Sequence, residues 1–261
     1  MKLNKSYLGT FSALILAGAS VTAQAAFLPF TIEEGSVPGA NPNERTANKF
    51  TGLYSERITI EADGTVNFVG FVEFQGIGVD DGDGGTIGVQ NQIGCYGDNC
   101  YNLYAIFEGS GQFDGGSGFS IDTASLALFI DPEQDTGRTF GTTGADPVTL
   151  TGNDEDYQIA VANNVTMGVG IAGVPGAFQA MWDDFSLTTD GEDYFIAPRP
   201  FHLIVETTGD FDRDTFEVGT FTVSGDISAS FAPIPEPSTL ALMGLSLVAL
   251  GAAVQRRRQN S

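Results

Sequence analysis

The fold is decided by the stretch Arg57-Ile58-Thr59-Ile60-Glu61, Ala62-Asp63-Gly64-Thr65, Val66-Asn67-Phe68-Val69-Gly70-Phe71-Val72-Glu73-Phe74. Its first five residues alternate polar and apolar, the pattern of a strand with one buried face. Its last nine are rich in Val and Phe, which suit a pleated, packed surface. Asp-Gly between two such runs is hairpin turn chemistry. Two antiparallel strands joined at Asp63–Gly64 are therefore predicted.

The same reading extends in both directions along the chain. Residues 103–107 are apolar at nearly every position, as in a strand covered on both faces. Short strand-like runs follow at 119–121, 126–130, 159–161, 165–171, 177–187, 201–206, 217–223 and 226–231. Nothing between 26 and 232 runs at helical spacing, and no fixed-period repeat suggests a propeller or solenoid. Many short strands separated by turn residues predict an all-β fold, a single jelly-roll-like β-sandwich.

The chain has 261 residues, with 34 Gly and 20 Phe. Two terminal segments stand apart from the body. Residues 1–25 have a basic start (Lys2, Lys5), an apolar middle, and the small residues Ala23 and Ala25 around Gln24. That is the layout of a secretory signal peptide cleaved before Ala26, and it implies the Sec translocon and signal peptidase as partners. Residues 233–261 contain Pro235-Glu236-Pro237, an uncharged apolar run over 239–254, and Arg256-Arg257-Arg258. Sixteen residues rise about 24 Å as a helix, close to the ~30 Å hydrocarbon core of a membrane. The arginines would stop transfer on the cytoplasmic side. The two prolines would hold the outer flank extended, ready for a peptidase.

The secreted domain is thus residues 26–232. It keeps 6 of the 11 basic and 32 of the 33 acidic residues, a net charge of −26. Such a surface repels nucleic acid and attracts divalent cations. Cys95 and Cys100 are the only cysteines, and in an exported chain they are expected to pair and pin one loop. Three acidic clusters are candidates for Ca²⁺: residues 80–83, 131–135 and 210–214. Asp131, Glu133 and Asp135 are the first choice, since alternate carboxylates at a strand end offer hard oxygens. The competing reading of each cluster is a solvated acidic loop that keeps the domain soluble.

Catalytic signals are sparse. One histidine, His202, lies in an apolar run, and no G-x-S-x-G, phosphate loop or H-E-x-x-H is present. Two carboxylates across a cleft would suffice for a glycosidase, and Trp182-Asp183-Asp184 is the stretch to consider for a sugar site. No catalytic residue is assigned, and a non-enzymatic protein is expected.

The tail resembles the PEP-CTERM sorting signal of Gram-negative bacteria, through Pro235-Glu236-Pro237-Ser238-Thr239-Leu240, the apolar helix and the Arg cluster. The resemblance implies recognition by exosortase, a membrane cysteine protease. It also implies transient inner-membrane anchoring, then release to the cell surface or matrix. The body resembles the flocculation-associated PEP-CTERM proteins called PepA. The segments that carry this are Ile32–Asn41, Thr51–Glu56, Leu103–Phe107, Asp131–Asp135, Trp182–Phe185 and Ala197–Phe201. It implies an extracellular-matrix protein supporting exopolysaccharide-dependent flocculation or biofilm formation. The alternative is an exported polysaccharide-modifying enzyme of glycosidase or lyase type.

Overall fold

The computed structural model describes residues 27–232 apart from 41, 81–85, 92, 94–99 and 214. The elements run β1 (Phe30–Glu33), a 3₁₀ turn (Glu34–Ser36), β2 (Glu44–Ala47), β3 (Lys49–Ile60), β4 (Thr65–Asp80), β5 (Thr86–Asn91), β6 (Asn102–Phe113) and β7 (Gly118–Asp131). They continue β8 (Gly137–Thr139), β9 (Thr149–Thr151), β10 (Tyr157–Ala162), β11 (Val165–Ile171), β12 (Gly173–Trp182), β13 (Ser186–Leu187), α1 (Thr189–Tyr194), β14 (Phe195–Ala197), β15 (Val205–Arg213) and β16 (Gly219–Phe231).

The hairpin forms where its sequence places it. Glu61 N donates to Thr65 O at 2.8 Å and Gly64 N to Glu61 O at 3.0 Å. Gly64 has φ +89°, a conformation that costs glycine little and other residues more. β3 and β4 then pair antiparallel from Ile60↔Val66 to Lys49↔Gly78.

The fold is all-β, but the long strands do not stack as the two open sheets of the expected sandwich. β3, β4, β6, β7, β11, β12, β15 and β16 pair antiparallel in that order, and β16 returns to β3. This is a closed, eight-stranded, up-and-down barrel. The alternating pattern is the same for a sandwich strand and a barrel strand, since both bury one face. What differs is closure: Gly219↔Ile60 through Ser230↔Lys49 joins the last strand to the first long one. Closure removes the edges a sandwich would leave unpaired. Bulges at Thr51/Gly52 and Ser110/Gly111 bend the strands toward it.

Several expected strands prove to be parts of longer ones. The runs at 119–121 and 126–130 are both β7, and those at 217–223 and 226–231 are both β16. The run at 177–187 divides instead between β12 and β13, and 201–204 is not strand. β7 forks: Gly118, Phe119 and Ser120 pair with β11, while residues 126–130 pair with β10.

Inside the barrel lie Phe68, Val72, Phe107, Leu126 and Trp182. Gly70 leaves the space that the Phe107 ring fills; a Cβ there would come 2.0 Å from Phe107 Cζ. One end is closed by the three-stranded sheet β14-β1-β2, through Phe30 stacked on Phe50 at 4.6 Å and set edge-on to Phe231. The other end is closed by Phe216, packed against Phe113, Phe119 and Phe221.

The outer face of β4, β6 and β7 carries a second aromatic stack. Phe71, Tyr104 and Phe129 lie ring on ring at 5.0 and 5.1 Å, and Arg138 covers Phe71 at 4.6 Å. Residues 137–156 drape over this wall through Arg138 on Phe71 and Asp156 on Tyr104, and reach the adjoining β3, where Gly144 N donates to Thr59 Oγ1 at 2.8 Å. Within the apolar run at 103–107, Leu103, Tyr104 and Ala105 are buried, while Ile106 and Phe107 are half-buried. No helix among the described residues is long and apolar enough to cross a membrane. The signal-peptide and tail readings (residues 1–25 and 233–261) lie outside the described residues.

Candidate metal centre

β7 ends in Asp131, which is 1% exposed. Its Oδ1 accepts from Gln134 N at 2.5 Å and its Oδ2 from Thr136 N at 3.2 Å. The carboxylate thus closes the turn that follows the strand, with Gln134 at φ 61°. β10 pairs with β7 through Tyr157↔Ile130, so the residues just before β10 lie beside the end of β7. Those residues are Glu155 and Asp156. One carboxylate oxygen from each of Asp131, Glu155 and Asp156 lies within 4.8 Å of the other two.

Asp156 Oδ2 accepts from Tyr104 O–H at 2.6 Å and Thr136 Oγ1–H at 2.7 Å. Asp156 Oδ1 and Glu155 Oε1 are closed to solvent and have no hydrogen-bond partner. The Glu155 carboxyl is held above its ordinary range. Its own backbone amide pulls it down, but desolvation and the charges of Asp135, Asp156 and Glu133 outweigh that. The Tyr104 hydroxyl is pushed up by burial, then by its bond to Asp156 and the nearby acids, so it stays a neutral donor. Of the turn residues singled out in sequence, Asp131 joins this group; Glu133 and Asp135 stay exposed and contribute charge. Glu155 and Asp156 carried no motif, and only the β7–β10 pairing brings them in.

The other sequence candidates are placed as follows. Trp182 is buried in the barrel and donates Nε1–H to Ala124 O at 3.1 Å, so it presents no face to a sugar. Asp184 accepts from the amides of Asn163 and Asn164, and Asp183 from the Asn164 side chain. His202 Nε2 lies 2.9 Å from Pro29 O, with its ring stacked on Phe231. Asp210 accepts from Asp226 N at 2.9 Å. Residues 81–83 lie outside the described residues, as do Cys95 and the sorting residues Pro235, Glu236, Pro237, Arg256, Arg257 and Arg258. Cys100 is not free, and its neighbour Tyr101 is buried.

A buried acid away from this group was likewise not singled out by sequence. Glu56 is 8% exposed and points into the barrel, where a cavity of about 50 Å³ is lined almost wholly by apolar side chains. Burial pushes its carboxyl up to about 8. That volume holds a few water-sized groups, far below the ~300 Å³ of a typical small-molecule pocket.

No curated protein and no solved structure matches the chain. Residues 233–258 match the family described as the PEP-CTERM protein-sorting motif. The chain therefore carries a PEP-CTERM sorting motif, the mark of an exported protein that is anchored transiently in the membrane and sorted by exosortase.

Proposed function

We propose that the exported barrel is a cell-surface or extracellular-matrix protein that supports exopolysaccharide-dependent flocculation or biofilm formation by binding, without catalysing a reaction. The single observation behind this reading is the sorting motif at 233–258, which directs the chain out of the cell. The net charge of −26 over residues 26–232 supports it, because such a surface stays soluble and attracts the cations that bridge acidic polymers. The PepA-like segments point the same way. On this reading the Sec translocon and signal peptidase act at 1–25, exosortase acts near Pro235–Pro237, and Cys95 pairs with Cys100.

The second reading is an exported polysaccharide-modifying enzyme that uses two of the 32 acidic residues of 26–232 across a cleft. The exported protein, purified and mixed with exopolysaccharide from its own cells, separates the two. Saturable binding with no change in polymer length is the expected result. Shortened or unsaturated polymer would establish the enzyme instead.

A further inference from the structure

We propose that Asp131, Glu155 and Asp156 form a divalent-cation site at the shared end of β7 and β10, and that its ion is Ca²⁺. The first argument is spacing. Ca²⁺ binds oxygen at about 2.3–2.6 Å, so oxygens on one ion lie within about twice that distance of each other. The three carboxylates meet this, with one oxygen each inside 4.8 Å.

The second argument is independent of the charge count. Glu155 Oε1 and Asp156 Oδ1 are shut off from water and bonded to nothing in the protein. A carboxylate oxygen in that state has lost its hydration without replacement, which is costly unless a proton or a cation meets it. No Lys or Arg among the described residues pairs with these three acids; Arg45 pairs with Glu34, and Arg138 with Glu73. Asp131 keeps a lone pair on Oδ1 for an ion: Oδ1 accepts from Gln134 N alone, while Oδ2 accepts from Thr136 N and Asn102 Nδ2, and each carboxylate oxygen has two lone pairs.

The surroundings resemble the outer shell of a metal site. Tyr104 and Thr136 hold Asp156 through Oδ2, which leaves Oδ1 for the ion. All three ligands are hard oxygens with no nitrogen or sulfur, which selects Ca²⁺ or Mg²⁺ over zinc or copper. Ca²⁺ accepts irregular carboxylate sets completed by water, whereas Mg²⁺ demands a near-ideal octahedron. An exported protein therefore needs only the modest affinity of extracellular modules, about 10⁻⁴–10⁻³ M.

The test is calorimetric titration of the purified, chelator-treated exported protein with Ca²⁺, alongside Tb³⁺ emission sensitised by nearby Tyr104. Expected results are one saturable site, a melting temperature that rises with Ca²⁺, and Tb³⁺ emission that Ca²⁺ displaces. Glu155→Gln and Asp156→Asn should each weaken Ca²⁺ at least about tenfold, with near-ultraviolet circular dichroism unchanged for Glu155→Gln. Glu133→Gln should bind as the parent does. Absence of binding at 10 mM Ca²⁺ (about ten times the weakest expected Kd), unaltered affinity in Glu155→Gln, or equal affinity for Mg²⁺ would each overturn the assignment.

Discussion

Glu56 and Asp131 are both buried acids, and they meet burial differently. Asp131 is met by polar donors: the Gln134 and Thr136 amides of its own turn and the Asn102 side chain. Glu56 faces an apolar barrel interior, and burial raises its carboxyl from 4.5 to about 8. The folded state therefore keeps a proton that the unfolded chain gives up. Its contribution to stability is complete below pH 4.5 and falls as pH rises, by about 1.4 kcal/mol per pH unit, until the folded state ionises near 8. Glu56→Gln should remove this loss. The melting temperature of the variant relative to the parent should climb between pH 5 and pH 8, and a constant difference across that range would refute the buried-acid account. Gly70 gives a second prediction at this scale. Gly70→Ala forces a methyl into the Phe107 ring and should cost about 1–3 kcal/mol in denaturant unfolding. Neither effect was legible beforehand: Glu56 follows the alternation of β3 like any inward residue, and nothing local says that its side of the strand is dry.

Among the elements, β7 shows how far local pattern goes. Its two apolar runs were readable, but Asp122-Thr123-Ala124-Ser125 between them reads as a break. The ladder to β6 carries the strand through, with Ser125↔Glu108 and Thr123↔Ser110 paired. Tertiary pairing overrides weak strand propensity because each residue gains a neighbour on the ladder. The segment before β16 makes the converse point. Phe216 lies outside any strand, yet it seals one end of the barrel against three other rings. Phe216→Ala should destabilise by about 3–5 kcal/mol, as other large-to-small core changes do. An unfolding free energy within 1 kcal/mol of the parent (less than an Ile→Val change often costs) would show that the end is closed by something else.

At the scale of the whole molecule, the sorting motif and the barrel are separate devices. The motif is a linear pattern in the sequence: two prolines around Glu236, an uncharged apolar run and three arginines. Deleting 235–261 should leave a protein that crosses the inner membrane and is not retained there for exosortase. Fractionation of cells and medium measures this, and continued membrane anchoring of the deleted form would contradict it. Alternation over 58–74, the Asp63-Gly64 turn and the tail were all determined by the sequence itself, because each depends on residues within a few positions of one another. Closure into a barrel, and the meeting of Asp131 with Glu155 and Asp156 across β8 and β9, were decided only by the tertiary structure. Periodicity reports which face of a strand is buried; it carries no information about which distant strand supplies the neighbour.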